Sequence, residues 1–270
     1  MSRPFRIMGI VNVTPDSFSD GGEWFERDAA IAHGRQLVQE GASILDVGGE
    51  STRPFSEPVP LAEERARVVP VIEALAEDAD AQVSVDTMKL EVARVALDAG
   101  ATYVNDVTAF RHDPAMAGLV AESGADCCLM HMLGDPKTMQ VDPRYDDVVS
   151  EVKAFLEQRA RFAVAEGIAE ERIMVDPGIG FGKTVEHNLE LLRRLDEIVA
   201  LGFTVLVGTS RKAFLGRLVG REDPHERVAA TVATNVVAFE RGARVFRVHD
   251  VAATADALTV TAATLRGHAA

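Results

Sequence analysis

Short apolar runs and longer amphipathic stretches alternate along the whole chain. Runs rich in β-branched residues recur at residues 7–13, 43–47, 82–85, 103–105, 127–131, 173–175, 204–207 and 245–248. Between and after them, residues 29–40, 61–76, 90–99, 113–122, 147–166, 187–199, 226–241 and 254–265 carry apolar side chains at i, i+3, i+4 and i+7, the period of a helix with one buried face. Several of these stretches end in a glycine just before the next run: Gly41-Ala42, Gly100-Ala101, Gly124-Ala125, Gly202-Phe203 and Gly242-Ala243. A glycine there supplies the left-handed residue that closes a helix. Eight strand-then-helix units without a linker leave two α/β architectures, a closed (β/α)8 TIM barrel or an open doubly wound sheet. The count of eight, and the lack of a glycine-rich fingerprint after the first run, select the barrel as one domain over residues 1–270.

The connections that lead into strands are a few residues long. Those that leave strands are much longer at residues 14–28, 48–60 and 132–146. Long loops on one face need a reason, and barrels place their sites on the loops at the C-terminal ends of the strands. The active site is therefore expected there. Composition narrows what it can bind. With 28 Lys and Arg against 42 Asp and Glu, the formal charge is −14, which argues against a nucleic-acid surface. An anionic substrate would have to be met by a local cluster of cations. No charged-then-apolar leader opens the chain, and no apolar run reaches the roughly 18 residues that span a bilayer. The only cysteines, Cys127 and Cys128, lie within an apolar run and read as buried thiols, so a cytoplasmic location is expected.

The strand ends carry the candidate chemistry. The first run leads to Asn12 and the polar segment Thr14-Pro15-Asp16-Ser17-Phe18-Ser19-Asp20-Gly21-Gly22. That segment reads equally as an ordinary loop, but a carboxamide at a strand end can ligand a hard cation or an anion. The second leads to Gly48-Gly49-Glu50-Ser51-Thr52-Arg53-Pro54, where Arg53 offers a planar fork of donors for phosphate or carboxylate, or is simply solvated. Asp86 and Asn105 end the third and fourth runs. They either read the donor–acceptor edge of a heterocycle or cap the following helices. His131, flanked by Met130 and Met132, reads best as a satisfied core histidine beside a soft methionine wall. After the sixth run comes Asp176-Pro177-Gly178-Ile179-Gly180-Phe181-Gly182-Lys183-Thr184. It is not a P-loop, because that pattern needs glycine at position 177, which is proline. What remains is Asp176 at a strand end and Phe181 on a glycine-flanked loop, able to lie on an aromatic ligand. The last two runs end in Ser210-Arg211-Lys212 and Arg247-Val248-His249-Asp250. Arg247 and His249 are two apart in an extended segment and project to one side. Arg53, Lys212, Arg247 and His249 then make the local cationic cluster that the net charge requires.

Taken together, the segments Asn12 to Gly22, Gly49 to Pro54, Ser84 to Thr87, Asn105-Asp106-Val107, Asp176 to Thr184, Ser210-Arg211-Lys212 and Arg247 to Asp250 closely resemble the dihydropteroate synthases, a pterin-binding family. The resemblance covers essentially the whole chain. It implies a folate-pathway transferase in which 4-aminobenzoate displaces pyrophosphate from 6-hydroxymethyl-7,8-dihydropterin diphosphate by dissociative substitution. It implies pterin contacts at Asp86, Asn105, Asp176, Phe181 and Lys212. Diphosphate contacts fall on Asn12, Arg53, Arg247 and His249, with Mg2+ as cofactor and Asn12 as its protein ligand. The 4-aminobenzoate pocket falls on Thr52, Arg53, Pro54, Phe181 and Lys212, and the catalytic group comprises Asp20, Asp86, Asp176, Lys212, Arg247 and His249. It further implies a homodimer and a sulfonamide target. Two positions depart from the family pattern: Phe55 stands where glycine is usual, beside the expected 4-aminobenzoate pocket, and Ala213 where serine is common.

Three other readings compete. A pterin-dependent corrinoid methyltransferase would share the carboxylates but would not need Arg53, Arg247 and His249 together. A non-catalytic pterin-binding paralogue is disfavoured because no matched position is visibly disabled. A barrel isomerase or lyase acting on a sugar phosphate is disfavoured by Phe181, the methionines and the acceptors at the strand ends.

Overall fold

A computed structural model describes residues 4–14, 22–51, 56–78 and 80–266. Eight strands form a closed parallel barrel in chain order: β1 (Arg6–Asn12), β2 (Ile44–Gly48), β3 (Gln82–Asp86), β4 (Tyr103–Asp106), β5 (Asp126–Met130), β6 (Ile173–Asp176), β7 (Thr204–Val207) and β8 (Val245–Val248). Closure removes the sheet edges, and it comes from β8 pairing with β1, with Gly9 opposite Val248. The helices are α1 (Gly22–Gln39), α2 (Leu61–Asp78), α3 (Leu90–Asp98), α4 (Ala115–Ser123), α5 (Val148–Ala165), α6 (Val185–Arg193), α7 (Leu195–Val199), α8 (Ala213–Val219), α9 (Val228–Glu240) and α10 (Val251–Arg266). None among the described residues is long and apolar enough to cross a membrane.

Alternation along each strand divides the core in two. One set, including Ile7, Leu45, Val83, Val104, Cys127, Val175, Val205 and Phe246, packs outward against the helices. The other, Met8, Ile44, Tyr103, Cys128, Met174, Leu206 and Val245, fills the barrel interior. The two neighbouring cysteines thus face opposite sides of the same wall. Both thiols are free, and burial pushes both pKa values up, so they are inert packing groups.

The structure adjusts the expected elements in three places. The first helix begins at Gly22, ahead of the expected residue 29, so the first connection is shorter than its polar sequence suggests. The stretch 187–199 is two helices. Arg194 leaves helical geometry at φ −108°, ψ 27°, with its guanidinium on Glu190, Glu197 and Asp147. Finally, α8 lies in the connection after β7, where no helix was expected. Phe214 and Leu215 bury it, and Ala213 opens it as an exposed residue. The five glycines that precede strands do turn left-handed, with φ between 67° and 109°.

Candidate active site

The parallel register brings the strand ends to one level, with Gly48 beside Asp86, Asp86 beside Asn105, and Met130 beside Asp176. Three carboxylates are buried in this mouth. Asp46 is completely covered, and Asp86 and Asp176 are 7% and 5% exposed. A buried carboxylate must find donors. Asp46 accepts from Ser84 Oγ at 2.6 Å, from Asn105 Nδ2 at 3.0 Å and from Arg247 Nε at 2.6 Å. The same guanidinium reaches across to Asp86, with Nη2 to Oδ2 at 2.7 Å. Arg247 therefore lies between two carboxylates, partners that its position in the sequence did not announce. Burial opposes its charge, but Asp46 and Asp86 outweigh burial and hold its pKa above the ordinary value. Burial pushes Asp86 up to about 7 even though Arg247 pulls it down.

Asp176 ends β6 and accepts from the Gly178 backbone N–H at 2.7 Å. Burial raises its pKa, opposed first by Lys212. The loop that follows is gripped from several sides. Gln140 Nε2 donates to Gly180 O at 2.6 Å, Tyr145 Oη to Gly182 O at 2.8 Å, and Gly180 N–H to Asn188 Oδ1 at 2.7 Å. Gly178 has φ +67°, and a Cβ there would stand 1.9 Å from the His131 carbonyl oxygen, so only glycine fits. Lys183 is almost fully buried beneath the loop. Its Nζ donates to the Phe181 carbonyl at 3.0 Å and meets His131 Nδ1 at 2.9 Å. His131 is the satisfied core histidine expected, its ring edge-on to Phe155 at 4.9 Å. Burial and then Lys183 push its pKa down to about 2, so the ring is neutral.

So held, the loop carries Phe181 to the methionine wall of Met130, Met132 and Met139, with Val107. Lys212 Nζ lies 4.6 Å from the centre of the Phe181 ring and donates to the Ile179 carbonyl. Burial brings the Lys212 pKa down to about 8, with Asp176 opposing. At the neighbouring strand end, Ser210 Oγ accepts from the His249 backbone N–H at 3.1 Å and lies 2.9 Å from His249 Nδ1. The two contacts tie the His249 ring and backbone to the end of β7 through one hydroxyl. Asn12 ends β1 opposite Gly48. Among the described residues, no group of three or more His, Cys, Asp or Glu side chains is arranged to hold a metal by itself.

Comparison with known proteins agrees with this geometry. Residues 8–249 match the family described as pterin binding enzyme. The chain is 47% identical to the Escherichia coli dihydropteroate synthase over 266 residues, 98% of this chain and 93% of that protein. The Xanthomonas albilineans dihydropteroate synthase solved with 4-aminobenzoic acid is 52% identical, covering 98% of this chain and 94% of that one at a TM-score of 0.92. The chain belongs to the dihydropteroate synthase family of pterin-binding enzymes. Its activity is dihydropteroate synthesis, a step of folate biosynthesis. The Xanthomonas albilineans synthase in complex with 7,8-dihydropteroate is 49% identical over the same shares, 98% and 94%, at a TM-score of 0.89.

In this chain Asp86, Asn105, Asp176, Phe181, Lys212, Arg247 and His249 all lie at, or on the loops just after, the C-terminal ends of the strands. Asp20, Thr52, Arg53, Pro54 and Phe55 lie outside the described residues. Two groups escaped the sequence reading. Asp46 sits inside the run Ile44-Leu45-Asp46-Val47, and a lone carboxylate in an apolar strand was its only signal. Lys183 is a support beneath the loop, a role that its place after three glycines does not reveal.

Proposed function

We propose that the two halves of this mouth divide the substrate between them. The carboxylate and carboxamide edge of Asp86, Asn105 and Asp176 takes the heterocycle of 6-hydroxymethyl-7,8-dihydropterin diphosphate. A dihydropterin presents a row of ring N–H and amino donors, and buried carboxylates at strand ends are the matching acceptors. The methionine wall and Phe181 cover its flat faces. Lys212, Arg247 and His249, with Arg53 from the second loop, meet the diphosphate. The observation that carries this reading is the contact of the Arg247 guanidinium with the Asp86 carboxylate at 2.7 Å, in which a cation and a heterocycle acceptor meet at one strand-end level.

The chemistry then needs no nucleophilic side chain. The bond between the exocyclic CH2 and the diphosphate oxygen breaks, and its electron pair leaves with pyrophosphate. The electron-rich pterin and the nearby carboxylates stabilise the cationic CH2 left behind. The amine of 4-aminobenzoate, bound between Phe181, Lys212 and the loop residues Thr52, Arg53 and Pro54, attacks with its lone pair and sheds a proton to solvent. Asp20 from the first loop adds negative charge near the cation. Lys212 and His249 donate to the departing oxygens. Mg2+ would neutralise part of the diphosphate charge. The Asn12 carboxamide oxygen suits that hard ion.

A pyrophosphate-release assay tests this directly. Release should require 4-aminobenzoate and yield one dihydropteroate per pyrophosphate. Tight binding of the pterin diphosphate without 4-aminobenzoate-dependent release would leave only a binding protein. Cytoplasmic work suits two free, buried thiols. A homodimer suits the exposed Leu189, Leu218, Val219 and Val237 on the neighbouring helices α6, α8 and α9. Light scattering of the purified protein should give twice the 29.1 kDa chain mass; a monomer at micromolar concentration would refute the pairing.

A further inference from the structure

Arg211 stands between two residues of the site and has a backbone that arginine rarely adopts, at φ +58°. Its neighbours face different elements: Ser210 turns to His249 after β8, and Lys212 turns to Ile179 and Phe181 on the loop after β6. We propose that Arg211 is a positioning residue, a left-handed hinge locked to Asp250 that aims Ser210 and Lys212 in these two directions at once. The proposal rests on the roles given above to Lys212 and His249.

Every polar part of Arg211 is engaged in the lock. Its N–H donates to Thr231 Oγ1 at 3.0 Å, and its carbonyl accepts from Arg227 Nη1 at 2.9 Å. Its guanidinium grips Asp250 with both arms, Nε to Oδ2 at 2.9 Å and Nη2 to Oδ1 at 2.6 Å, while Nη1 lies 3.0 Å from His225 Nδ1. Asp250 directly follows His249, so the ends of β7 and β8 are tied twice, by Ser210 to His249 and by Arg211 to Asp250. A left-handed non-glycine residue persists only where its surroundings over-determine it, and such residues gather at functional sites. A bidentate fork fixes both distance and angle, which a lysine at the same place could not do.

The test compares four variants with the parent for kcat, KM for the pterin diphosphate, the pH profile of kcat/KM, and melting temperature. Arg211→Ala removes the fork and penalises the φ. Arg211→Gly removes the fork but accepts the φ. Arg211→Lys keeps the charge without the fork, and Asp250→Asn keeps the shape without the ion pair. We expect kcat/KM to fall at least tenfold in all four, with alanine below glycine. The alkaline limb of the profile should move upward, because a Lys212 freed from its buried seat regains an ordinary pKa. A purely structural role would lower the melting temperature and leave that limb in place. Parent-like kinetics and an unmoved limb in Arg211→Lys and Asp250→Asn would overturn the proposal. If Arg211→Ala does not fold, Asp250→Asn decides, since it leaves the turn residue intact. Lys212→Met run in parallel separates the two layers. Full activity in that variant refutes the site reading itself, whereas an inactive Lys212→Met beside normal Arg211→Lys and Asp250→Asn refutes only the hinge.

Discussion

Arg247→Met is expected to cost about 3–5 kcal/mol of folding stability at pH 8, because it leaves two buried carboxylates facing each other without their shared cation. The loss should be smaller at pH 6. Without the guanidinium, the Asp86 carboxyl, already pushed up to about 7 in the parent, rises further. The folded variant then binds a proton that the unfolded chain does not, so its stability falls as pH rises. Denaturant titrations of parent and variant at the two pH values check this. An equal loss at both would mean that Asp86 does not depend on Arg247 for its charge. Activity should be lost as well, because a carboxyl that has taken up a proton is a poorer acceptor for the pterin and the cation facing the diphosphate is gone.

The second large effect centres on Lys212. With its pKa brought down to about 8, the free enzyme loses this cation as pH rises through that value, and kcat/KM for the pterin diphosphate should fall there. Lys212→Arg carries a cation that does not titrate in this range, so its profile should lack the limb even if its rate is lower. Lys212→Met should lower kcat/KM by roughly 10²–10³, the scale of losing one preorganised charge on a departing oxygen. An alkaline limb unchanged in Lys212→Arg would assign it to another group.

Much of the fold was legible because its signals are local. The switch between apolar runs and helical periods, punctuated by glycines, locates eight units, and only closure follows from them as geometry. What was not legible depends on tertiary forces. The break at Arg194 leaves the apolar period intact, since what marks it is polar: one guanidinium held by Asp147 at the start of α5, Glu190 on α6 and Glu197 on α7. The seven residues of α8 are too few for a period to show. In the site, Asp86, Asn105 and Asp176 were readable because a polar residue ending an apolar strand in a barrel points at the mouth. Asp46 lies two residues short of its strand end, and only the β2–β3 register, which sets it beside Ser84, explains how it is satisfied. Likewise, the sequence names Arg247 and His249 as a pair. The structure gives them different partners, one carboxylates and the other a serine, because a long arginine reaches inward from a position where histidine stops at the rim. Nothing in the letters Ser-Arg-Lys tells that the arginine is left-handed.

The central claim is that carboxylates hold the heterocycle and cations hold the diphosphate in separable halves of one mouth. Calorimetric titration of 6-hydroxymethylpterin and of pyrophosphate, each alone, into Asp176→Asn and His249→Ala tests it most directly. Asp176→Asn should lose the pterin and keep pyrophosphate, and His249→Ala should do the reverse. Both variants losing both ligands alike, or each losing the wrong one, would contradict the division.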